Sequence, residues 1–320
     1  MANGPAAAAL AKLAGRGPRC AMRTLLLGAT GTIGSAILDD LTAAGHAVVA
    51  LARSADAERR LAGRAEEVVR GDLREPAAWA QAAGQVDAIV HAAATFSDDM
   101  GEVDRRVVEA LIAAGMAAAR RIRFVYTGGC WLYGETGDAV ATEETPFRPL
   151  PAFAWMVENS RAILNAACFE GIVIHPAMVY DGIGGVIERF ASSARQAGRV
   201  EVWGSLEIRW PVVHRRDLAT AFRLALERGA AGESYNVAAE PGVRIGDIVD
   251  AVARRFRLRT APVVRDVADV VAEFGDWAAG PALDQQMSGG KIVRSLGWQP
   301  TRTNIVAALA EGAESSPDGG

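Results

Sequence analysis

The chain has 320 residues, 50% of them hydrophobic and 22% charged, with a formal net charge of −4. Such a composition supports a sizeable buried core, its acidic balance excludes the basic footprint of a nucleic-acid binder, and no apolar run reaches the roughly 18 residues of a membrane span. The three cysteines, Cys20, Cys130 and Cys168, are odd in number and lack metal-ligand spacing, which points to a reducing, cytoplasmic setting with no structural disulfide and no metal site.

Residues 1–21, rich in alanine and glycine, read as a frayed extension, with Met22 as an alternative start. Thr24 to Leu27 then form an apolar strand that turns through Gly28-Ala29-Thr30-Gly31-Thr32-Ile33-Gly34 into an amphipathic helix. A strand entering a helix this abruptly leaves first-turn N–H groups unpaired, and the helix dipole favours an anionic pyrophosphate there. Gly28 permits the tight turn, Gly31 lets phosphates approach the backbone, and Gly34 lets helix and strand pack closely. Val48–Ala52, Glu67–Arg70, Ala88–His91 and Phe124–Thr127 read as further buried strands. Helical patterns at Glu75–Ala83 and Val103–Ala119 lie between them. This alternation predicts an α/β fold, a Rossmann-type doubly wound parallel sheet with ligands beyond the carboxyl ends of its strands.

Arg53 and Ser54 follow the second strand, where an acidic residue would grip the ribose of NAD. A guanidinium there either pairs with the 2′-phosphate of NADP or caps the strand at the surface. Asp72 follows the third strand and lies against the adenine edge, caps the Glu75–Ala83 segment, or does both.

Together with the glycine turn, Gly71-Asp72-Leu73, His91-Ala92-Ala93-Ala94, Tyr126-Thr127-Gly128-Gly129-Cys130-Trp131-Leu132-Tyr133-Gly134 and His175-Pro176-Ala177-Met178-Val179-Tyr180-Asp181-Gly182 form one series. Val213-His214-Arg215-Arg216-Asp217, Tyr235-Asn236-Val237 and Leu296-Gly297-Trp298-Gln299-Pro300 continue it. Over roughly residues 22 to 310 the chain resembles the extended short-chain dehydrogenase/reductases, the NAD-dependent epimerase/dehydratases. The resemblance implies a tightly held nicotinamide cofactor; Arg53 favours NADP, with NAD as the alternative, and the residues expected to hold it are Gly28, Thr30, Gly31, Thr32, Ile33, Gly34, Arg53, Asp72, Leu73, Ala92, Ala93, Thr127, His175 and Met178. It also implies a Rossmann domain over 22–176, a mainly substrate-binding lobe over 177–311 with segments returning to the sheet, and a solvated tail over 312–320.

Family chemistry uses a tyrosine with a lysine four residues later, the lysine lowering the tyrosine's pKa for proton exchange. Only two lysines occur, Lys12 and Lys291, and neither has a tyrosine four residues before it. Trp155 and Asn159, or Phe153 and Val157, fill the two places. At the usual serine position stands Gly129 or, alternatively, Gly128, and only Thr127 keeps a hydroxyl nearby. No Asp-Glu pair follows it, which disfavours a nucleotide-sugar 4,6-dehydratase.

The remaining catalytic candidates are Thr127, Tyr133, Glu158, Asn159 and His214, each with a structural alternative. Glu158 would act if desolvated beside Trp155; Tyr180 and His175 are weaker candidates, and Cys130 is disfavoured as a nucleophile. Met178–Gly185 reads as a glycine-rich lid with its hinge at Gly184-Gly185, and Ile187–Ala197 as a helix over the cleft. Trp131, Trp155, Trp203 and Trp210 line one pocket or fill the core, and Arg209 holds an anion or lies at the surface. The expected function is an NAD(P)-dependent oxidoreductase or epimerase acting on a small, ring-containing metabolite through a non-standard proton donor. The alternatives are a redox-neutral isomerase or lyase and a non-catalytic NADP-binding sensor. Expected partners are a small-molecule substrate and a second copy in a homodimer, with no nucleic acid or membrane.

Overall fold

The computed structural model describes residues 21–310; Lys12, Cys20, the expected tail and nearly all of the expected N-terminal extension lie outside the described residues. The first half runs β1 (Arg23–Leu27), α1 (Thr32–Ala43), β2 (Ala47–Ala52), α2 (Ala55–Leu61), β3 (Glu67–Arg70), β4 (Ala88–His91), α3 (Met100–Met116), β5 (Ile122–Thr127), α4 (Trp155–Asn165) and β6 (Phe169–Pro176). The second half runs β7 (Met178–Asp181), β8 (Gly184–Gly185), α5 (Glu188–Ala197), β9 (Glu201–Trp203), β10 (Arg209–His214), α6 (Arg215–Arg228), β11 (Ser234–Val237), β12 (Glu240–Arg244), α7 (Ile245–Arg255), β13 (Val263–Arg265), α8 (Val267–Phe274), α9 (Gly290–Leu296) and α10 (Ile305–Ala310).

Seven strands form one parallel sheet in the order β3-β2-β1-β4-β5-β6-β11. Successive side chains point to opposite faces of a strand, so each apolar run feeds two cores. Leu26, Ala50, Val90 and Val125 join Ile37 and Leu41 of α1 and Leu218 and Phe222 of α6 on one face. Leu25, Val49, Ile89 and Phe124 join Val107 and Leu111 of α3 and Ile163 of α4 on the other. The chain order reverses between β1 and β4, which opens a crevice at their carboxyl ends.

Three expected elements differ. Glu75–Ala83 is not an α-helix but two 3₁₀ turns, Pro76–Ala78 and Ala80–Gln85. Trp79 separates them, its indole folded in to donate to the Asp72 carbonyl at 2.7 Å. The helix expected over Val103–Ala119 starts and stops three residues earlier. The supposed lid at Met178–Gly185 is a tight antiparallel hairpin of β7 and β8, in which Tyr180 faces Gly185 and Asp181 faces Gly184. It belongs to a second sheet, β12-β10-β7-β8.

Candidate active site

The three glycines of the first turn serve three separate steric needs. Gly28 adopts φ +88°, and a Cβ on it would lie 2.6 Å from the Ala92 carbonyl oxygen. A Cβ on Gly34 would overlap the Gly28 carbonyl and lie 2.6 Å from its carbon. At Gly31 the only protein atom within 4 Å of such a Cβ is the Gly28 oxygen, at 3.4 Å, and the residue is exposed. The packing around it therefore does not require glycine at 31. Gly31 is also the N-cap of α1, and no side chain caps the helix. First-turn N–H groups of Thr32 and Ile33 are thus left for an anion, and the cradle fits a dinucleotide pyrophosphate.

The other expected contacts come from several strand ends. Arg53 is exposed at the end of β2, with no ion pair or hydrogen bond among the described residues. Ser54 caps α2 by accepting the Ala57 N–H at 3.1 Å, so its hydroxyl is committed locally. Arg60, which sequence reasoning did not single out, reaches from α2 to the Thr30 carbonyl at 3.3 Å. The Asp72 carboxylate accepts the Arg74 N–H at 2.9 Å in a local turn and caps no helix. Leu73 lines a cavity of about 10 Å³ with Ala94, Thr95, Met100, Val103, Asp104 and Trp155. Ala92 and Ala93 continue β4 past the glycine turn, Ala92 donating to the Leu27 carbonyl at 3.0 Å. Met178 is buried in β7.

Asn159 does not face this crevice alone. Its Nδ2 donates to Asp104 Oδ2 at 2.7 Å, and the Tyr126 hydroxyl donates to the same oxygen at 2.5 Å. His91 Nε2 lies 2.9 Å from Asp104 Oδ1, off the line of a good hydrogen bond, while His91 Nδ1 accepts the Ala93 N–H at 3.3 Å. All four side chains are buried. Burial works to raise the Asp104 carboxyl, but the facing His91 ring and the donors around it prevail and hold it below its ordinary range. Tyr126, buried beside that anion, is pushed well above the usual phenol range. The signal for Asp104 was in the sequence: a carboxylate at the i−4 and i−7 positions of Val108 and Leu111, on the buried arc of α3.

The other catalytic candidates are scattered. Thr127 is half-buried at the end of β5 and donates to the His91 carbonyl at 2.6 Å. Tyr133 is buried, donates to Asn236 Oδ1 at 2.8 Å, and has its hydroxyl pKa raised by burial. Glu158 is turned to solvent, its side chain 72% exposed and paired with Arg161 at 2.8 Å, so Trp155 does not desolvate it. His214 accepts the Arg216 N–H as the N-cap of α6, and burial, aided by Arg302, lowers its pKa to about 4. His175 is fully buried, also at about 4, and rests against Gly128, where a Cβ would lie 2.7 Å from its Cε1. The Cys130 thiol is pushed up to about 12 by burial, which removes the thiolate a nucleophile needs.

The four tryptophans do not share a pocket. Trp210 stacks on Phe190 in the core at 5.6 Å, and Trp203 stacks on Phe274 at 5.1 Å. Trp131 packs on Phe153 at 4.9 Å, leaving Trp155 on the small cavity. Arg209 is held by Asp284 at 2.6 and 3.0 Å and by Asp138 at 3.0 Å, so its charge is already engaged. Lys291 pairs with Glu233 at 2.7 Å. Asp217 accepts from Thr301 Oγ1 at 2.9 Å and the Arg302 N–H at 2.8 Å, while its carbonyl accepts from Trp298. That motif fastens the C-terminal segment to α6. No helix among the described residues is long and apolar enough to cross a membrane.

Sheet order, switch point and glycine cradle define a dinucleotide-binding α/β protein of the Rossmann type. The chain belongs to the NAD dependent epimerase/dehydratase family, whose model matches residues 24–238. It is 27% identical to an uncharacterised protein of Saccharomyces cerevisiae, covering 89% of this chain and 97% of that one. It is 28% identical to the UDP-glucose 4-epimerase of Mycolicibacterium smegmatis, over 91% of this chain and 96% of that one. Among solved structures it resembles the human epimerase family protein SDR39U1 with NADPH, with a TM-score of 0.75 and 23% identity over 92% of this chain and 100% of that one. These are members of a family made up mostly of NAD(P)-dependent enzymes, and a nicotinamide dinucleotide is the cofactor class they support.

Proposed function

We propose that the protein is an NADP-dependent oxidoreductase or epimerase acting on a small metabolite, with a proton donor other than a tyrosine–lysine pair. The observation that carries the choice of NADP is Arg53, an exposed arginine directly after β2 with no partner among the described residues. A forked donor in that place suits a 2′-phosphate and offers nothing to a 2′-hydroxyl that an acidic residue would not supply better. The bound dinucleotide would supply hydride transfer. The chain's own part is to cradle the pyrophosphate at Gly31–Ile33 and to present the Thr127 hydroxyl to a substrate oxygen, once its proton turns from the His91 carbonyl.

Titrating NADPH and NADH against wild type and Arg53→Ala by nicotinamide fluorescence tests the choice. NADPH affinity should fall about tenfold, within the range of one charge-assisted hydrogen bond, with NADH unaffected. Equal loss for both would refute the 2′-phosphate role.

The burial of Asn159 against Asp104 favours a second reading, in which the same cofactor site serves a redox-neutral isomerisation or elimination, or senses NADP without turnover. A panel of carbonyl compounds followed at the reduced-nicotinamide absorbance separates the two. Tight NADPH binding without any oxidation would rule out the oxidoreductase.

A further inference from the structure

The helices α1 and α6 are joined by polar contacts that repeat in the same order along both. Arg215 Nη1 donates to Ser35 Oγ at 3.4 Å, and one to two turns further along each helix Thr220 Oγ1 donates to Asp40 Oδ1 at 3.1 Å. Arg223 Nε donates to the other Asp40 oxygen at 2.7 Å, while Ile37 and Leu41 share a core with Leu218 and Phe222. Contacts in matching order make the helices parallel, so the first turn of α6 stands beside the first turn of α1. Ser35 belongs to that turn, its N–H donating to the Gly31 carbonyl at 2.9 Å. No side chain caps α1 there, which leaves its leading N–H groups for the pyrophosphate.

Arg215 is the first residue of α6, where a cation meets the positive end of the helix dipole, and the neighbouring α1 presents a second such end. Its own structural bonds are few. Asp181 Oδ2 lies 2.8 Å from Nε, yet that nitrogen is buried without a hydrogen bond, and the 3.4 Å contact to Ser35 is the only hydrogen bond the guanidinium makes among the described residues. Arg209, by contrast, directs three bonds to two carboxylates. A guanidinium offers five N–H donors in a planar fork that matches phosphate, and the Arg215 side chain is 28% exposed, within reach of a ligand.

We propose that Arg215 is a further cofactor-binding residue, its unbonded Nη donors turning to the pyrophosphate at the start of α1, so that the dinucleotide is held from α6 as well as from the glycine turn. This rests on the cofactor reading above and adds to it a residue from the second half of the chain. Asp181 then works against binding, because its carboxylate holds the same guanidinium and repels the same phosphates.

Calorimetric titration of NADPH and NADH into wild type, Arg215→Ala and Asp181→Asn tests it. The pyrophosphate is common to both nucleotides, so Arg215→Ala should weaken both by the same factor, about tenfold for one charge-assisted bond. Asp181→Asn should bind both at least as tightly as wild type. If Arg215 only tethers the β7–β8 hairpin through Asp181, the two variants weaken binding alike, and that result overturns the proposal. An unchanged affinity in Arg215→Ala, or a loss confined to NADPH, also overturns it. Should Arg215→Ala not fold, Arg215→Gln, which keeps the stem and a donor for Ser35, takes its place. Failure of wild type to bind either nucleotide would instead overturn the cofactor reading, and this inference with it.

Discussion

Gly31 and Gly34 separate what the cofactor requires from what the fold requires. In Gly34→Ala the new Cβ would lie 2.6 Å from the Gly28 carbonyl carbon and 3.1 Å from the Ala29 nitrogen, both backbone atoms of the turn that Gly28 anchors against Ala92. Relieving that overlap means displacing the turn by about 1 Å, and overpacking of this kind costs about 1–3 kcal/mol. For a domain of this size the loss lowers Tm by about 2–4 °C per kcal/mol. In Gly31→Ala the Cβ meets only the Gly28 oxygen, at 3.4 Å, and φ is −80°, which alanine adopts readily. Its stability cost is that of an N-cap glycine replaced by alanine, under about 1 kcal/mol. The methyl nevertheless occupies the face through which a pyrophosphate reaches the first-turn N–H groups. Losing one such charge-assisted bond, about 1.5–3 kcal/mol, weakens NADPH binding by roughly 10- to 150-fold. Thermal unfolding and NADPH titration should therefore dissociate: Gly34→Ala loses stability and affinity, Gly31→Ala loses affinity alone. A Gly31→Ala protein that binds NADPH normally would refute the assignment of that open face to the cofactor.

Two further outcomes concern the fold. Asp217→Ala strips the acceptor from Thr301 and from the Arg302 N–H, a buried loss of about 2–4 kcal/mol, visible as a lowered urea midpoint and early proteolysis after residue 296. A midpoint within error of wild type would show that the segment is held elsewhere. His175 has an ordinary unfolded pKa of 6.5 against about 4 when folded, because burial, with Lys291 adding to it, disfavours its charge. The unfolded chain binds the extra proton first, so this contribution is intact above the unfolded value and is lost as pH falls from 6.5 toward 4, at up to about 1.4 kcal/mol per pH unit. Urea denaturation at several pH values should show a shallower acid loss in His175→Gln, and identical slopes would exclude His175 as a source.

The sequence by itself determined the parallel sheet, the glycine cradle and the absence of the usual tyrosine–lysine pair. Each is a local or counted property: β3 and β4 begin and end at the residues that their apolar patterns mark, and Gly28 to Gly34 lie within one turn. Two lysines cannot supply a pair wherever the chain folds. One proline, one glycine and one tryptophan within Pro76–Gln85 accompany the change from an expected α-helix to 3₁₀ turns, a competition between local pattern and the packing of one indole. Only the tertiary structure decided what each polar side chain does. Asn159 meets Asp104 across 55 residues of sequence, and Arg209 meets Asp284 across 75. One arginine is thereby engaged in a structural pair, while Arg53, after β2, has no partner among the described residues. The carboxylate named as a candidate from sequence, Glu158, is in solvent, as its alternative reading had it, and the one passed over, Asp104, is buried. The free energy of burying a charge depends on its distant neighbours, which no local periodicity records.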